Sequence, residues 1–140
     1  CDDVLGKYKK RMGDSLILHG RVPRSVILKA VCEADLLLNV GNTVTNQVPS
    51  KVFEYLGTGK PIISLYSSDN DTSKFYLDSY ELSLLVKEEW DSSLLEANAS
   101  RVVEFCRANL GKEIDYEDIE VKYQDYTLKA VVGKLENLIN

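Results

Sequence analysis

Cysteine and histidine are scarce in this chain: its 140 residues include three cysteines, at positions 1, 32 and 106, and a single histidine. Cysteines that are few, odd in number and far apart disfavour a disulfide framework and a structural zinc site. No run approaches the ~20 apolar residues that a membrane-spanning helix needs. Residues 1–20 also lack a basic start followed by an apolar block, so no signal peptide is expected. We therefore expect a cytoplasmic protein, or one peripheral at the membrane in its full-length form.

The C-terminal third of the chain also lacks a cluster of basic residues, and the net charge of the whole chain is −5. Residues 88–125 carry eleven acidic and four basic side chains, whereas residues 1–60 carry nine basic and six acidic ones. Because non-specific binding to nucleic acid depends on neutralising phosphates, the acidic C-terminal third argues against a nucleic-acid partner. A small anionic ligand near the first 60 residues is compatible with this charge distribution.

Helical and strand-like segments alternate at short intervals. We predict helices over 2–12, 26–34, 71–80 and 92–110, and Ser25 is the expected cap of the second. Another helix is predicted to begin at Pro49 and to end at the glycines at 57 and 59. A C-terminal amphipathic helix is predicted from Leu128 to Ile139. We predict strands over Ser15–His19, Asp35–Val40, Pro61–Tyr66 and Leu82–Lys87. The helix over 26–34 is apolar on most sides and is therefore expected to be largely buried.

Uniformly apolar strands that alternate with helices predict a parallel sheet covered on both faces. A doubly wound sheet usually has about five or six strands and begins with one, whereas this chain opens with a helix. We therefore expect an α/β fold with a doubly wound, Rossmann-like parallel sheet and flanking helices, truncated at its N-terminus.

In such sheets, ligands bind outside the carboxyl ends of the strands. The loop over 42–48 follows one predicted strand and leads into the helix that begins Pro49-Ser50-Lys51, whose first amides favour a phosphate. Glu54 lies one turn further along the polar stripe of that helix. Since a carboxylate repels phosphate, its natural ligand there is a neutral diol, such as the two hydroxyls of a ribose. The alternative is a solvated helix face, with a Lys51–Glu54 pair worth roughly 0.3 kcal/mol.

The segment Gly57-Thr58-Gly59-Lys60 superficially resembles a nucleotide-binding loop. The P-loop pattern requires a glycine where Glu54 stands and Ser or Thr where Pro61 stands. The glycines also end a helix instead of starting one, so we interpret the segment as a turn. His19 has no neighbouring Ser or Cys with an acidic partner, so we predict no catalytic triad.

Three segments together carry a more specific signal. They read Leu18-His19-Gly20-Arg21-Val22-Pro23, then Ala34-Asp35-Leu36-Leu37-Leu38, then PSKVFEYLGTGKPII from Pro49 to Ile63. Their sequence and spacing resemble the C-terminal domain of family-four glycosyltransferases, retaining enzymes with the two-domain GT-B fold. The resemblance covers residues 15–110 and extends more loosely to the C-terminal helix. It implies that residues 1–140 form one nucleotide-sugar-binding domain, with the N-terminal acceptor domain as its missing partner.

The resemblance implies a donor site that includes Glu54. Glu54 corresponds to the second glutamate of the family's two-glutamate motif, which binds the ribose hydroxyls of the donor. The first glutamate falls at Asn46, a departure from the family pattern, although an amide also hydrogen-bonds hydroxyls. By the same resemblance, the base lies against Gly20, Arg21 and Val22, and the diphosphate lies near residues 47–51, which include Ser50 and Lys51.

The resemblance implies transfer of a hexose from a nucleotide-diphosphate sugar to an acceptor, with retention of configuration. The family needs no metal or other cofactor, because positive groups stabilise the departing phosphate. The basic loop that supplies them precedes this chain in the family, so we assign no catalytic residue here and expect the chain alone to be inactive. The alternatives are an epimerase-like GT-B enzyme that acts on nucleotide sugars and a non-catalytic α/β interaction module.

Overall fold

The computed structural model describes residues 2–41, 50–89 and 91–126. The chain divides into two compact units, Cys1–Cys32 and Glu33–Asn140. The α-helices are α1 (Asp2–Met12), α2 (Arg24–Glu33), α3 (Ser50–Leu56), α4 (Thr72–Leu77), α5 (Ser92–Asn109) and α6 (Tyr116–Lys122). The strands are β1 (Leu37–Val40), β2 (Ile62–Tyr66) and β3 (Ser83–Lys87), and short 3₁₀ turns lie at Gly13–Ser15 and Gln124–Tyr126.

The described strands form one parallel sheet in the order β1-β2-β3. Ile62 of β2 is the register partner of Leu37 in β1 and of Ser83 in β3. Helix α3 packs on β1, α4 packs on β2 and β3, and α5 packs on β3. The predicted Rossmann-like α/β fold with a parallel sheet and flanking helices is therefore confirmed, with three strands in the described residues instead of four.

The core lies between the sheet and helices α3 and α4. Its fully buried side chains include Val52 and Leu56 from α3, Leu77 from α4 and Ile62 from β2. Val52 and Leu56 are four positions apart in α3, as are the buried residues Ser73 and Leu77 in α4, so one face of each helix meets the sheet. Strand β2, with Ile62, Ile63 and Ser64 buried, lies between β1 and β3 and is the central strand of the described sheet.

The predicted strand over Ser15–His19 is wrong. Residues 13–15 form a 3₁₀ turn and residues 16–20 have no regular structure, with Ile17 68% exposed. The Leu16 carbonyl accepts a 2.6 Å hydrogen bond from Lys9 Nζ, and the Leu16 amide bonds back to Gly13 O at 3.4 Å. An apolar run forms a strand only when the backbone of a neighbouring strand hydrogen-bonds to it. Here the backbone carbonyl and amide of Leu16 are hydrogen-bonded to Lys9 and to the 3₁₀ turn instead. His19, at the end of this segment, is exposed.

Helix α2 differs from its prediction in both start and burial. It begins at Arg24, and the Pro23 carbonyl accepts hydrogen bonds from the amides of Val26 and Ile27 at 3.1 and 3.4 Å. Ser25 therefore lies inside the helix instead of capping it. Val26, Ile27 and Leu28 are all exposed, so the expected burial of this helix is wrong. Its apolar composition alone did not determine what covers it.

Helix α6 was missed by the sequence reasoning. Asp115 precedes it, Glu117 and Asp118 supply negative charge in its first turn, and Ile119 and Tyr123 are buried one turn apart. These are ordinary N-terminal signals followed by an i, i+4 apolar pair, and they were available in the sequence. The predicted loop over 42–48, Pro49 and the predicted helix beyond residue 127 lie outside the described residues.

Among the described residues, no helix is both long enough and apolar enough to cross a bilayer. The longest of them, α5, runs for 18 residues and includes charged side chains such as Arg101 and Glu104.

Candidate functional site

The candidate site residues of α3 lie on its exposed side. Successive residues of an α-helix are about 100° apart, so Glu54 lies between Ser50 and Lys51 when viewed along the axis. All three side chains are exposed, while Val52 and Leu56 point into the core on the opposite side. The predicted polar stripe is therefore confirmed as a surface. Its role in binding a ligand is a separate question.

Helix α3 is oriented by the topology of the sheet. In a parallel β-α-β unit, the helix begins near the carboxyl ends of the strands and runs back to their amino ends. Ser50 therefore lies towards the carboxyl edge of the sheet, and Glu54 lies about 6 Å further along the axis. Phe53 of α3 packs against Tyr76 of α4, with 4.9 Å between the ring centroids, and this contact helps to hold α3 against α4.

The other candidate residues lie either in the first compact unit or outside the described residues. Gly20, Arg21 and Val22 belong to the first compact unit, where Gly20 has a φ of +63° and Arg21 is exposed. Asn46 lies outside the described residues. Among the described residues of the second unit, the predicted site residues are therefore Ser50, Lys51 and Glu54.

Charged side chains from two elements meet at the carboxyl edge of the sheet. Asp69, in the loop after β2, lies 3.4 Å from Lys74 of α4 and 3.4 Å from Lys87 at the end of β3. The hydrogen bond and charge of Lys87, followed by those of Lys74, hold the pKa of Asp69 below its usual value. Lys74 also lies over the ring of Tyr66, with Nζ 4.9 Å from the centroid. These ion pairs are exposed, so they contribute little to the free energy of unfolding.

A second carboxylate at this edge is buried. Asp71 is 3% exposed and caps α4, with Oδ1 accepting a 2.8 Å hydrogen bond from the Ser73 amide. Gly41, the residue after β1, lies against its other oxygen, Oδ2. The sequence predicts a helix that starts at residue 71, but the sequence analysis did not single out Asp71 as its cap. The signal was the Asp-Thr-Ser sequence at a helix start, which is typical of an N-cap.

Two cavities lie near this edge. One of about 470 Å³ follows α4 and its preceding loop, and its lining includes Asp69, Lys74 and Phe75. Another of about 270 Å³ lies between the ends of β2 and β3 and helix α5, and its lining includes Leu65 and Leu95. Glu54 is exposed and lines neither of these two cavities.

The segment 57–60 at the other edge of the sheet is structural. Gly57 and Gly59 form a turn after α3, and Gly59 has a φ of +73°. The Lys60 ammonium donates a 2.7 Å hydrogen bond to the Ala34 carbonyl, while the Lys60 carbonyl accepts one of 2.9 Å from the Tyr80 hydroxyl. Burial is the main cause that raises the pKa of Tyr80. The interpretation of this segment as a turn instead of a phosphate-binding loop is confirmed.

Clusters of three or more His, Cys, Asp or Glu side chains suited to a metal ion are absent from the part of the chain that the structure describes. Comparison with known proteins finds no matching family model, no matching curated protein and no matching solved structure. The assignment of a function therefore depends on the residues and their geometry.

Proposed function

We propose that this chain is the donor-binding part of a retaining glycosyltransferase that transfers a hexose from a nucleotide-diphosphate sugar. The observation that carries the proposal is the position of Glu54, an exposed carboxylate about one turn inside a helix that starts towards the carboxyl edge of a parallel sheet. The resemblance of PSKVFEYLGTGKPII to the donor-binding segment of family-four glycosyltransferases supports the same role.

The chemistry of the ligand follows from the charges on α3. Two vicinal hydroxyls can both donate to one carboxylate, and hydrogen bonds to a charged acceptor are stronger than neutral ones. Lys51 lies beside Glu54 on the exposed side and supplies a positive charge for a phosphate. A ribose diphosphate presents both groups in one molecule, with hydroxyls and phosphates separated by a few bonds.

The direct test is a titration of the chain with uridine diphosphate and guanosine diphosphate. We expect one of them to bind, and we expect Glu54→Ala to weaken it roughly tenfold or more, because a charged hydrogen-bond partner is lost. Glu96→Ala is the matched control, since Glu96 is an exposed glutamate on α5. Equal affinity of the Glu54 and Glu96 variants would contradict the proposal.

Catalysis requires more than this chain on the same proposal. The acceptor domain and the basic loop that stabilises the departing phosphate belong to other parts of the proposed enzyme. We therefore expect the chain to bind a donor nucleotide without transferring its sugar. Measurable transfer of a hexose by the 140-residue chain alone would contradict this division of roles.

A further inference from the structure

A small cavity lies between the last turn of α3 and helix α6, and we call it the aromatic cavity. Its volume is about 130 Å³. Its walls include four aromatic rings and one carboxylate, which belong to Phe53, Tyr116, Tyr123, Tyr126 and Glu120. Ser50, Lys51 and Glu54 do not line it, so it is separate from the proposed nucleotide site.

Two segments of the second unit supply these walls. Tyr116, Glu120 and Tyr123 are four and three positions apart in the sequence, so they lie on one side of α6 and of the residue that ends it. Phe53 lies in the last turn of α3, and Tyr126 lies in the 3₁₀ turn that follows α6. The cavity is thus formed where the end of α3 meets one side of α6.

Contacts with neighbouring side chains hold three of the four rings in place. The centroids of Phe53 and Tyr126 are 5.8 Å apart, and Tyr126 also lies 5.0 Å from the ring of Tyr76 in α4. The Tyr123 hydroxyl donates a 3.0 Å hydrogen bond to the Tyr76 carbonyl. Tyr116 is 63% exposed and forms the outer wall. A site whose walls are already in place loses little conformational entropy when a ligand binds.

The charge around the aromatic cavity is strongly negative. Residues 113–126 carry six acidic side chains and one basic side chain. The basic one, Lys122, lies 3.8 Å from Glu81, whereas Glu120 makes no ion pair with any described residue. The faces of aromatic rings also carry partial negative charge. Rings and carboxylates together therefore favour a cation as the ligand.

The walls of the cavity favour a quaternary ammonium group over other cations. A quaternary ammonium group has no N–H donors, so apolar walls such as Leu56 and Ile119 leave none of its groups without a hydrogen bond. A lysine ammonium is strongly hydrated and has several donors to satisfy. A cavity of ~150 Å³ holds benzene. A trimethylammonium group has fewer heavy atoms than benzene, so it fits a cavity of about 130 Å³.

We propose that the aromatic cavity binds a small quaternary ammonium compound of the choline type. The trimethylammonium group lies among the four rings, and Glu120 supplies the opposite charge. The acidic side chains around the cavity repel a phosphate, so the ligand is a free cation of this type and not a phosphocholine group. This binding is independent of the proposed nucleotide site.

The first test is a titration of the 140-residue chain with choline, with phosphocholine and with the neutral isostere of choline, in which a tert-butyl group replaces trimethylammonium. We expect choline to bind and to shift the amide resonances of α6. The isostere should bind roughly threefold to thirtyfold more weakly, because the cation–π attraction is lost. If choline does not bind, or if the isostere binds equally well, the proposal is overturned. Phosphocholine that binds as tightly as choline would overturn the choice of a phosphate-free ligand.

A second test removes one ring from the cavity. Tyr116→Leu keeps an apolar side chain at an exposed position, so we expect it to fold and to weaken choline binding about two- to tenfold. Tyr8→Leu is the matched control, because Tyr8 is an exposed tyrosine on α1 that does not line the cavity. Equal affinities of the two variants for choline would contradict a site at this cavity.

A third test removes the charge of the cavity. Glu120→Gln keeps the shape of the side chain and is expected to weaken choline binding about two- to fivefold. Glu117→Gln is the matched control, because Glu117 is an exposed glutamate of the same helix outside the cavity walls, and it should have a smaller effect. An equal effect of the two substitutions would overturn the role of Glu120. Neither should change the binding of uridine or guanosine diphosphate, so this proposal and the proposed function fail separately.

Discussion

Gly59 is the single residue whose replacement we expect to disturb the described structure most sharply. Its φ of +73° is a conformation that side-chain-bearing residues rarely adopt, and a Cβ there would overlap the Ile114 carbonyl oxygen. Backbone strain of about 1–2 kcal/mol and overpacking of about 1–3 kcal/mol act together at this position. We expect Gly59→Ala to lower the free energy of unfolding by roughly 2–5 kcal/mol, measured by urea denaturation.

Gly111→Ala separates the two causes. Gly111 has a φ of +72°, and a Cβ there would meet nothing within 4 Å. Only the strain remains, so we expect a loss of about 1–2 kcal/mol. Equal losses of unfolding free energy in Gly59→Ala and Gly111→Ala would show that the close contact with Ile114 does not contribute to the requirement for glycine at position 59.

The exposure of individual residues was predictable from the sequence where it depends on the spacing within one helix. The helical spacing of apolar and polar residues in α3 predicts a polar stripe with Ser50, Lys51 and Glu54, and these three side chains are exposed in the structure. The contact between Asp71 and Gly41 joins residues 30 positions apart in the sequence. No local pattern specifies such a contact, because it depends on how the ends of β1 and β2 meet.

At the scale of elements, strands β1 and β2 are joined by a buried polar pair as well as by their backbones. Asn39 and Ser64 are register partners, and Asn39 Nδ2 donates a 2.8 Å hydrogen bond to Ser64 Oγ. Both residues are almost fully buried. Removing one partner leaves the other with an unsatisfied polar group in the core.

We expect a double-mutant cycle on this pair to show strong coupling. Asn39→Ala and Ser64→Ala should each lower the free energy of unfolding by about 1–3 kcal/mol. The double variant should lose less than the two single losses combined, by about 0.5–3 kcal/mol. Additive losses would mean that the hydrogen bond contributes nothing to the pairing of β1 with β2.

The elements predicted correctly and incorrectly differ in what surrounds them. Pro61–Tyr66 and Ser15–His19 are both short apolar runs bounded by glycine or polar residues, and the sequence predicts a strand for each. Only the first lies between two pairing strands, as β2. Since the hydrogen bonds of a sheet join two segments, the pattern within one segment cannot show which of these two runs becomes a strand.

At the scale of the whole molecule, burial is uneven along the chain. None of residues 4–32 is buried, whereas Ile62, Ile63 and Ser64 of β2 are each less than 5% exposed. Segments with few buried contacts open at a lower free-energy cost than a core strand does. The stability of this chain is therefore concentrated in the sheet of the second unit.

We expect native-state hydrogen exchange to reveal this difference. The amides of β2 should exchange last, and those of α1 and α2 should exchange through openings that cost a few kcal/mol less. Tyr80→Phe, which removes a buried hydrogen bond to the Lys60 carbonyl, should speed exchange in β2 and leave α1 unchanged. Uniform protection across both units would contradict a stability concentrated in the second unit.

The binding of a ribose diol by Glu54 is tested most directly by a double-mutant-type cycle, in which the glutamate is removed from the protein and one hydroxyl is removed from the ligand. The affinities of the wild type and Glu54→Ala are measured for the preferred nucleoside diphosphate and for its 2′-deoxy form. If the carboxylate binds the diol, the wild type should lose roughly tenfold or more in affinity when the 2′-hydroxyl is removed, and the variant should lose little. An equal loss in both proteins would contradict the account, because the hydroxyl would then be recognised by something other than Glu54.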